Sequence, residues 1–167
     1  METVLFNSAA CHTGGSLPAV GEKAPGFNLV GTDLKEIRLS DYAGRRVVLI
    51  VFPSLDTPVC AASVRRFNKM AGEVADVTVI NVSMDLPFAA SRFCAAEGLK
   101  NVVVGSAFRS PSFAQNYGLQ LTDGPLAGLL ARAVIVIGPD GKIAYEQLVD
   151  EITHEPDYHA VLDLLKH

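Results

Sequence analysis

Three cysteines are the side chains of this sequence most able to do chemistry: Cys11, Cys60 and Cys94. No two of them form a CxxC pair, so the sequence has neither a zinc-knuckle pattern nor a local redox dithiol. The N-terminus resembles no export signal, and disulfide frameworks are rare in proteins that stay in a reducing compartment. Each cysteine is therefore expected to be either a small buried side chain or a reactive thiol.

Cys60 lies where a helix is expected to begin. The apolar run 47–52 predicts a buried strand, and Pro58 is a favoured first helical residue, which makes Thr57 the N-cap and Cys60 the third helical residue. The N–H groups and dipole of a first turn favour negative charge, and cysteines at such positions can have a pKa well below that of a free thiol. This position predicts a reactive Cys60, with the Thr57 hydroxyl turned toward either the backbone or the sulfur.

The other two cysteines have different surroundings. Cys94 lies in a predicted helix from about residue 87 to 97, where Arg92 either favours its thiolate or belongs to a solvated helix face. Cys11 is beside His12, but two adjacent ligands without a second cluster make a poor metal site. We therefore expect Cys11 to be a non-essential thiol, and we expect no bound metal or cofactor.

The elements that position these cysteines follow from the apolar patterns. The runs 47–52 and 77–82 predict buried parallel strands, and the helical spacing of Val64, Phe67 and Ala71 between them completes a right-handed βαβ unit. The remaining expected elements are strands at 3–6 and after Ala10, a linking loop at 21–25, a strand at 102–104, a helix near 112–117, a hairpin of 133–137 and 143–148 around a Pro-Asp-Gly turn, and a final helix opened by Pro156.

The order strand–helix–strand, insertion, strand–strand–helix is that of a thioredoxin-like core. The prediction is an α/β fold with a central mixed β-sheet flanked by helices on both faces, preceded by an N-terminal β-hairpin. With 167 residues, 49% hydrophobic and 19% charged, the chain fits a single folded domain over 1–167.

Charge and hydropathy exclude two classes of partner. The net charge is −4 and no basic stripe is present, so a nucleic-acid partner is not expected. No apolar run approaches the roughly 20 residues that span a bilayer, so a membrane is not expected either. A cytoplasmic location follows as an expectation.

The residues around the cysteines also resemble a known family. Pro53, Thr57 and Cys60 form the pattern PxxxTxxC, which resembles the peroxidatic motif of peroxiredoxins. The longer strings PSLDTPVCAASVRRFN, DLPFAASRFCAAEGL and LVDEITHEPDY resemble the thiol peroxidase branch of that family, of the atypical two-cysteine type. The resemblance extends from about residue 21 to 166.

This resemblance implies a role for each site residue. Cys60 matches the peroxidatic cysteine that attacks a hydroperoxide, and Thr57 supplies a hydrogen-bond donor. Pro53 matches the proline that shields the sulfur from water, while a purely structural role in ending the strand is equally compatible with the sequence. Arg132 matches the arginine that pairs with the thiolate, and its apolar neighbours indicate that it is not fully solvated. Cys94 matches the resolving cysteine that forms a disulfide with the Cys60 sulfenic acid.

The family further implies reduction of hydrogen peroxide and alkyl hydroperoxides in antioxidant defence, re-reduction by thioredoxin and assembly as a homodimer. The sequence leaves open whether Leu86, Phe88 and Phe93 line a pocket for alkyl hydroperoxides or simply pack in the core. Two other functions remain as alternatives. A thiol–disulfide oxidoreductase would reduce insulin, although Thr57 stands where its first cysteine would be. A redox-activated sensor or holdase would consume peroxide only stoichiometrically.

Overall fold

The computed structural model describes residues 1–71, 74, 76–96 and 103–166, except for the side chains of Cys60, Met70 and Ala71. The strands in this part of the chain are β1 Thr3–Phe6, β2 Ala9–His12, β3 Asn28–Val30, β4 Glu36–Arg38, β5 Arg46–Val51, β6 Val77–Ser83, β7 Val103–Ser106, β8 Ala133–Ile137 and β9 Ile143–Leu148. The helices are α1 Pro58–Ala71, α2 Pro87–Ala96, α3 Pro111–Tyr117 and α4 Tyr158–Leu165, with a 3₁₀ turn at Leu39–Tyr42.

Seven of these strands form one mixed sheet in the order β4-β3-β7-β6-β5-β8-β9, while β1 and β2 form a separate antiparallel hairpin. In the centre of the sheet, β5 is parallel to β6 and antiparallel to β8. The carboxyl end of β5 therefore lies beside the start of β8, with Val51 opposite Ala133. That register brings the segment leading to Cys60 next to the residue before β8, which is Arg132.

The two faces of β5 contribute to two separate cores because successive strand side chains point to opposite sides. Val48, Ile50 and Phe52 lie in a core covered by α1 and α4, which we call the α1 core. Val47, Leu49 and Val51 lie in a second core that includes residues of α3, the α3 core. Each fully buried side chain of this size contributes about 2 kcal/mol to folding, so β5 is a rigid support for the loop that follows it.

The predicted architecture is confirmed: a central mixed sheet with helices on both faces and an N-terminal hairpin. Several boundaries are wrong. The last helix begins at Tyr158 and not at Pro156, because the Asp157 carboxylate accepts a hydrogen bond from the Ala160 N–H at 3.1 Å and caps the helix there. The strand expected at 102–104 spans Val103–Ser106, while residues 97 and 102 lie outside the described part.

Strands β3 and β4 were not predicted. Each has only three residues, and their polar residues Asn28, Glu36 and Arg38 break any apolar pattern. They pair with each other at the margin of the sheet, where one face can stay in water. No helix in the described ranges is both long and apolar enough to cross a bilayer.

Candidate active site

The candidate site lies at the edge of the sheet where β5 and β6 end and β8 begins. Parallel strands end at the same edge, and ligand sites of open α/β sheets form there. Pro53 and Thr57 follow β5, while Arg132 directly precedes β8. Three of the predicted site residues therefore come from segments that this edge holds together.

Helix α1 begins at Pro58, so Cys60 is its third residue as the sequence predicts. The Ala61 N–H donates to the Thr57 carbonyl at 3.0 Å, which makes Thr57 the residue before the first turn. The side chain of Cys60 lies outside the described part. Its backbone position places the residue in the first helical turn, where the helix dipole favours an anion.

The Thr57 side chain is turned toward the backbone. It is exposed, and its hydroxyl donates to the Ser54 carbonyl at 3.0 Å. A hydroxyl has one hydrogen to donate and two lone pairs. In this geometry the hydrogen is used within the loop, and the role of Thr57 as a donor to a peroxide stays a prediction that requires its hydroxyl to turn away from the Ser54 carbonyl. The Thr57 oxygen can still accept a hydrogen bond.

Arg132 is a buried cation, only 3% exposed. Its Nε–H donates to the Ile152 carbonyl at 2.7 Å, and its own carbonyl accepts from the Val149 N–H at 2.9 Å. These bonds fix both the backbone and the plane of the guanidinium. The expectation that Arg132 is not a solvated charge is confirmed. A charge buried in this way is tolerated only where it is hydrogen-bonded or paired, and the Ile152 carbonyl is one such partner of Arg132.

Pro53 is buried and follows Phe52, which is fully buried in the α1 core. The Phe52 N–H donates to the Val82 carbonyl at 3.1 Å, so β5 stays attached to β6 one residue beyond its assigned end. Leu55 is also buried, at 3% exposure. We call these three buried residues, which lie along the chain between the end of β5 and the start of α1, the apolar floor.

Cys94 lies in α2, half-buried and packed against the α1 core. Burial raises the pKa of the Cys94 thiol above its ordinary value. Arg92, in contrast, is exposed, and its nearest guanidinium nitrogen is 3.5 Å from each carboxylate oxygen of Asp56. Of the two interpretations of Arg92, the structure supports the solvated face, and Cys94 is kept as a neutral thiol by its surroundings.

Helix α1 is held from the other side by α4. The Tyr158 hydroxyl and the Ser63 hydroxyl are 2.8 Å apart, and both residues are buried. The Tyr158 ring packs edge-on against Phe67 with ring centroids 4.6 Å apart, and Arg66 lies over the same ring at 5.0 Å. Burial raises the pKa of Tyr158 to about 12, so its phenol stays neutral near pH 7. The helix is therefore anchored at Ser63, one turn after Cys60.

One residue that sequence reasoning missed connects the two cysteine segments. The Asp85 carboxylate accepts hydrogen bonds from the Ser54 hydroxyl, the Leu55 N–H and the Ser83 hydroxyl. The signal available in the sequence was the polar pair Ser83 and Asp85 directly after an apolar run, because polar residues at a strand's carboxyl end frequently belong to a site.

Comparisons with known proteins show the family of this chain. The Redoxin family model matches residues 19–162. A thiol peroxidase of Mycobacterium tuberculosis is 52% identical over 165 residues, covering 99% of each chain. A thiol peroxidase of Corynebacterium glutamicum is 54% identical over 160 residues, covering 96% of each chain.

The chain belongs to the thiol peroxidases of the redoxin family. It is a peroxiredoxin-type oxidoreductase, as its sequence motifs predict. A peroxiredoxin-like protein from Aquifex aeolicus has the same fold, with a TM-score of 0.94 and 41% identity over 99% of this chain and 96% of that one. A thiol peroxidase from Chromobacterium violaceum has a TM-score of 0.91 at 21% identity, covering 99% and 96%, which supports the fold alone.

The third cysteine of this thiol peroxidase lies away from the described edge. Cys11 is 2% exposed in strand β2 and packs in the α3 core. Burial raises the pKa of its thiol, and the nearby carboxylates of Asp123 and Glu151 raise it further. The neighbouring His12 places its Nδ1 2.6 Å from an Asp123 carboxylate oxygen. A non-essential Cys11 stays a prediction, with burial as its physical reason.

The surroundings of Cys94 lead to a testable titration. In a variant carrying Cys11→Ser and Cys60→Ser, Cys94 is the sole thiol. Because burial raises its pKa, its alkylation by iodoacetamide should increase with pH with an inflection above that of a cysteine peptide. The same variant unfolded in urea should regain the inflection of the peptide. An inflection at or below the peptide value in the folded protein would contradict the burial of this thiol.

Proposed function

We propose that this thiol peroxidase reduces hydrogen peroxide and alkyl hydroperoxides through a Cys60 sulfenic acid and a Cys60–Cys94 disulfide, which thioredoxin then reduces. The observation that carries the proposal is the register of β5 and β8, in which Val51 lies opposite Ala133, so that the buried Arg132 lies beside the end of the strand that leads into the Cys60 helix. The buried arginine and the helix start both favour a thiolate, and a thiolate is the form of cysteine that attacks peroxides.

The first step is nucleophilic attack by the Cys60 thiolate on the terminal oxygen of the hydroperoxide. The O–O bond breaks as the S–O bond forms, and the departing alkoxide takes up a proton to leave as the alcohol, or as water when the substrate is hydrogen peroxide. Cys60 is left as a sulfenic acid. Developing negative charge on the leaving oxygen requires hydrogen-bond donors that are already in place. Arg132, held by its Nε–H bond to the Ile152 carbonyl, is proposed to donate to the peroxide oxygens.

Burial makes these charges effective. The floor of Phe52, Pro53 and Leu55 excludes water from below the start of α1, and an ion pair is stronger in such an environment than in water. Pro53 is proposed to shield the sulfur, and the Thr57 oxygen to accept the hydrogen of a bound hydroperoxide. The acceptor role follows from the hydrogen bond of the Thr57 hydroxyl to the Ser54 carbonyl, and the donor role expected from the sequence would require that hydroxyl to rotate.

The second step forms the disulfide. The Cys94 thiolate attacks the Cys60 sulfur, and the sulfenic oxygen leaves as water after taking up a proton. A disulfide needs its two Cα atoms about 4.4–6.8 Å apart, while Cys94 packs into the α1 core within a helix. Its thiol also has a raised pKa in that position. Unwinding of α2 would remove both obstacles, because it would expose Cys94 to water and free its backbone.

The third step returns the enzyme to its dithiol state. An external dithiol, which we propose to be thioredoxin, attacks the disulfide and leaves both cysteines reduced. Such a cycle runs in a reducing compartment, and we propose the cytoplasm as its location.

We also propose a homodimer, supported by the exposed apolar side chains of Leu86, Phe88 and Phe108 around the carboxyl ends of β6 and β7. The packing interpretation of Leu86 and Phe88 is wrong, since they are 51% and 69% exposed, whereas Phe93 does pack against the α1 core.

The cysteine roles are tested by three single variants in an assay that couples peroxide reduction to NADPH through thioredoxin reductase and thioredoxin. Cys60→Ser should abolish turnover because the nucleophile is gone. Cys94→Ser should consume about one equivalent of peroxide and then stop. Cys11→Ser, the matched control, should cycle like the parent protein because its thiol is buried in the α3 core. Multiple turnovers by Cys60→Ser would refute the assignment.

The role of Arg132 is tested by the rate of the first oxidation in single-turnover experiments. Arg132→Ala should slow peroxide attack by about 100-fold or more, the usual cost of removing one donor to a developing oxyanion. Arg132→Lys, which keeps the charge but loses the planar fork, should fall between the parent and Arg132→Ala. Arg46→Ala is the control, because Arg46 also donates to a backbone carbonyl, that of Leu165 at 2.7 Å, but lies at the other end of β5.

The Arg46→Ala control should be less stable than the parent protein but should react with peroxide at the parental rate. Thermal unfolding of each variant separates a loss of folded protein from a loss of rate. If Arg132→Ala reacts with peroxide at the parental rate, Arg132 has no part in the chemistry.

A further inference from the structure

We propose that Asp85 is a positioning residue. Its side chain holds the loop that leads to Cys60 in α1, and its backbone begins the segment that leads to Cys94 in α2, so that both start from the same place on the sheet edge. This inference rests on the proposed roles of the two cysteines. Asp85 lies two residues after the end of β6 at Ser83 and two residues before Pro87, which opens α2. Its carboxylate reaches across to the segment after β5, which leads to Cys60.

The carboxylate accepts three hydrogen bonds. One oxygen accepts from the Ser54 hydroxyl at 2.8 Å. The other accepts from the Leu55 N–H at 2.7 Å and from the Ser83 hydroxyl at 2.7 Å. Two of these donors belong to the loop before α1, and the third belongs to the end of β6. One side chain thus joins the loop after β5 to the loop after β6.

The backbone of Asp85 is held as firmly as its side chain. Its N–H donates to the Ser83 oxygen at 3.2 Å, and its carbonyl accepts from the Ser106 hydroxyl at the end of β7. Ser83 and Ser106 are 1% and 2% exposed. Because the two serines are buried in the ends of adjacent strands, Asp85 is fixed to the rigid sheet and can act as an anchor.

Only a carboxylate of this length satisfies all three donors. An ionised carboxyl group presents acceptors alone, whereas the amide of asparagine presents one oxygen and one NH₂ group. In an asparagine variant the NH₂ group would face either the Ser54 hydroxyl or the Leu55 N–H. The first arrangement can form a hydrogen bond with the hydroxyl oxygen, but the second cannot. Asparagine should therefore retain part of the anchor, and alanine none of it.

The position of the anchor along the chain explains its proposed effect. Leu55 lies five residues before Cys60, and Asp85 lies nine residues before Cys94. With the anchor in place, the first turns of α1 and α2 start from fixed points on the same edge of the sheet. Without it, both turns should open in the reduced protein. Peroxide attack should then slow, while Cys94 should become more accessible.

The test compares Asp85→Asn and Asp85→Ala with the parent protein in two measurements. The first is alkylation of Cys94 by iodoacetamide at one fixed pH, with Cys11→Ser and Cys60→Ser also present. Asp85→Ala should react at least tenfold faster, and Asp85→Asn should lie between it and the parent. The second is the rate of Cys60 oxidation by peroxide in the otherwise unmodified chain, which should fall at least tenfold in Asp85→Ala and less in Asp85→Asn.

The matched control is Asp41→Asn. The Asp41 carboxylate also accepts a backbone hydrogen bond, from the Arg38 N–H at 3.1 Å, but it lies before the amino end of β5. The Asp41→Asn variant should show the parental rate of Cys94 alkylation and the parental rate of Cys60 oxidation. If Asp85→Ala does not fold, Ser54→Ala removes one of the three bonds and should shift both rates in the same directions by a smaller factor.

Amide hydrogen exchange distinguishes an anchor from a general loss of stability. In Asp85→Asn the amides of 55–60 and 88–94 should exchange faster, while those of β5 and β8 stay protected. Uniformly faster exchange that includes both strands would overturn the positioning role, as would parental Cys94 alkylation in Asp85→Ala. If the parent protein shows no peroxide turnover but the Asp85 variants still show faster Cys94 alkylation, the proposed function is refuted and the positioning role of Asp85 stands.

Discussion

Strand β5 pairs with a parallel strand on one side and an antiparallel strand on the other, and the whole candidate site depends on this arrangement. The parallel pairing with β6 brings together the loop before α1 and the loop before α2. Helices α1 and α2 contain the two cysteines of the proposed cycle. The antiparallel pairing with β8 brings Arg132 to the same edge, beside the end of β5. Since β5 is buried on both faces, the strand from which the loop before α1 starts is held by both cores.

The chemistry proposed for this edge makes two opposing demands on it. Peroxide attack favours an enclosed Cys60 near a buried cation, which the floor of buried residues and Arg132 can provide. Disulfide formation requires Cys94 to leave a half-buried position in which burial raises its pKa. The hydrogen bonds of Asp85 on one side and the Tyr158–Ser63 pair on the other define the limits within which α1 can open. Between Leu55 and Ser63 the chain can unwind while both ends stay attached.

The sequence was sufficient for features that depend on local physics. Pro58 after an apolar run predicted the start of α1 and the helical position of Cys60, and the apolar neighbours of Arg132 predicted its burial. The cysteine roles came from family resemblance and stay predictions. The anchor at Asp85 was missed because two of its partners, Ser54 and Leu55, lie about thirty residues away and meet it only once the sheet has formed. The exposure of Phe88 was missed because residue type alone does not decide which apolar side chains face water.

In the proposed cycle the site is enclosed for peroxide attack and opens locally for disulfide formation. Amide hydrogen exchange can be compared between the reduced protein and its Cys60–Cys94 disulfide form. We expect amides in 57–63 and 88–96 to lose protection in the disulfide form, because the two helix segments unwind to let the thiols meet. Amides of β5 and β8 should keep their protection. Equal protection of both segments in the two forms would show that the thiols are already within bonding distance, and would contradict the account.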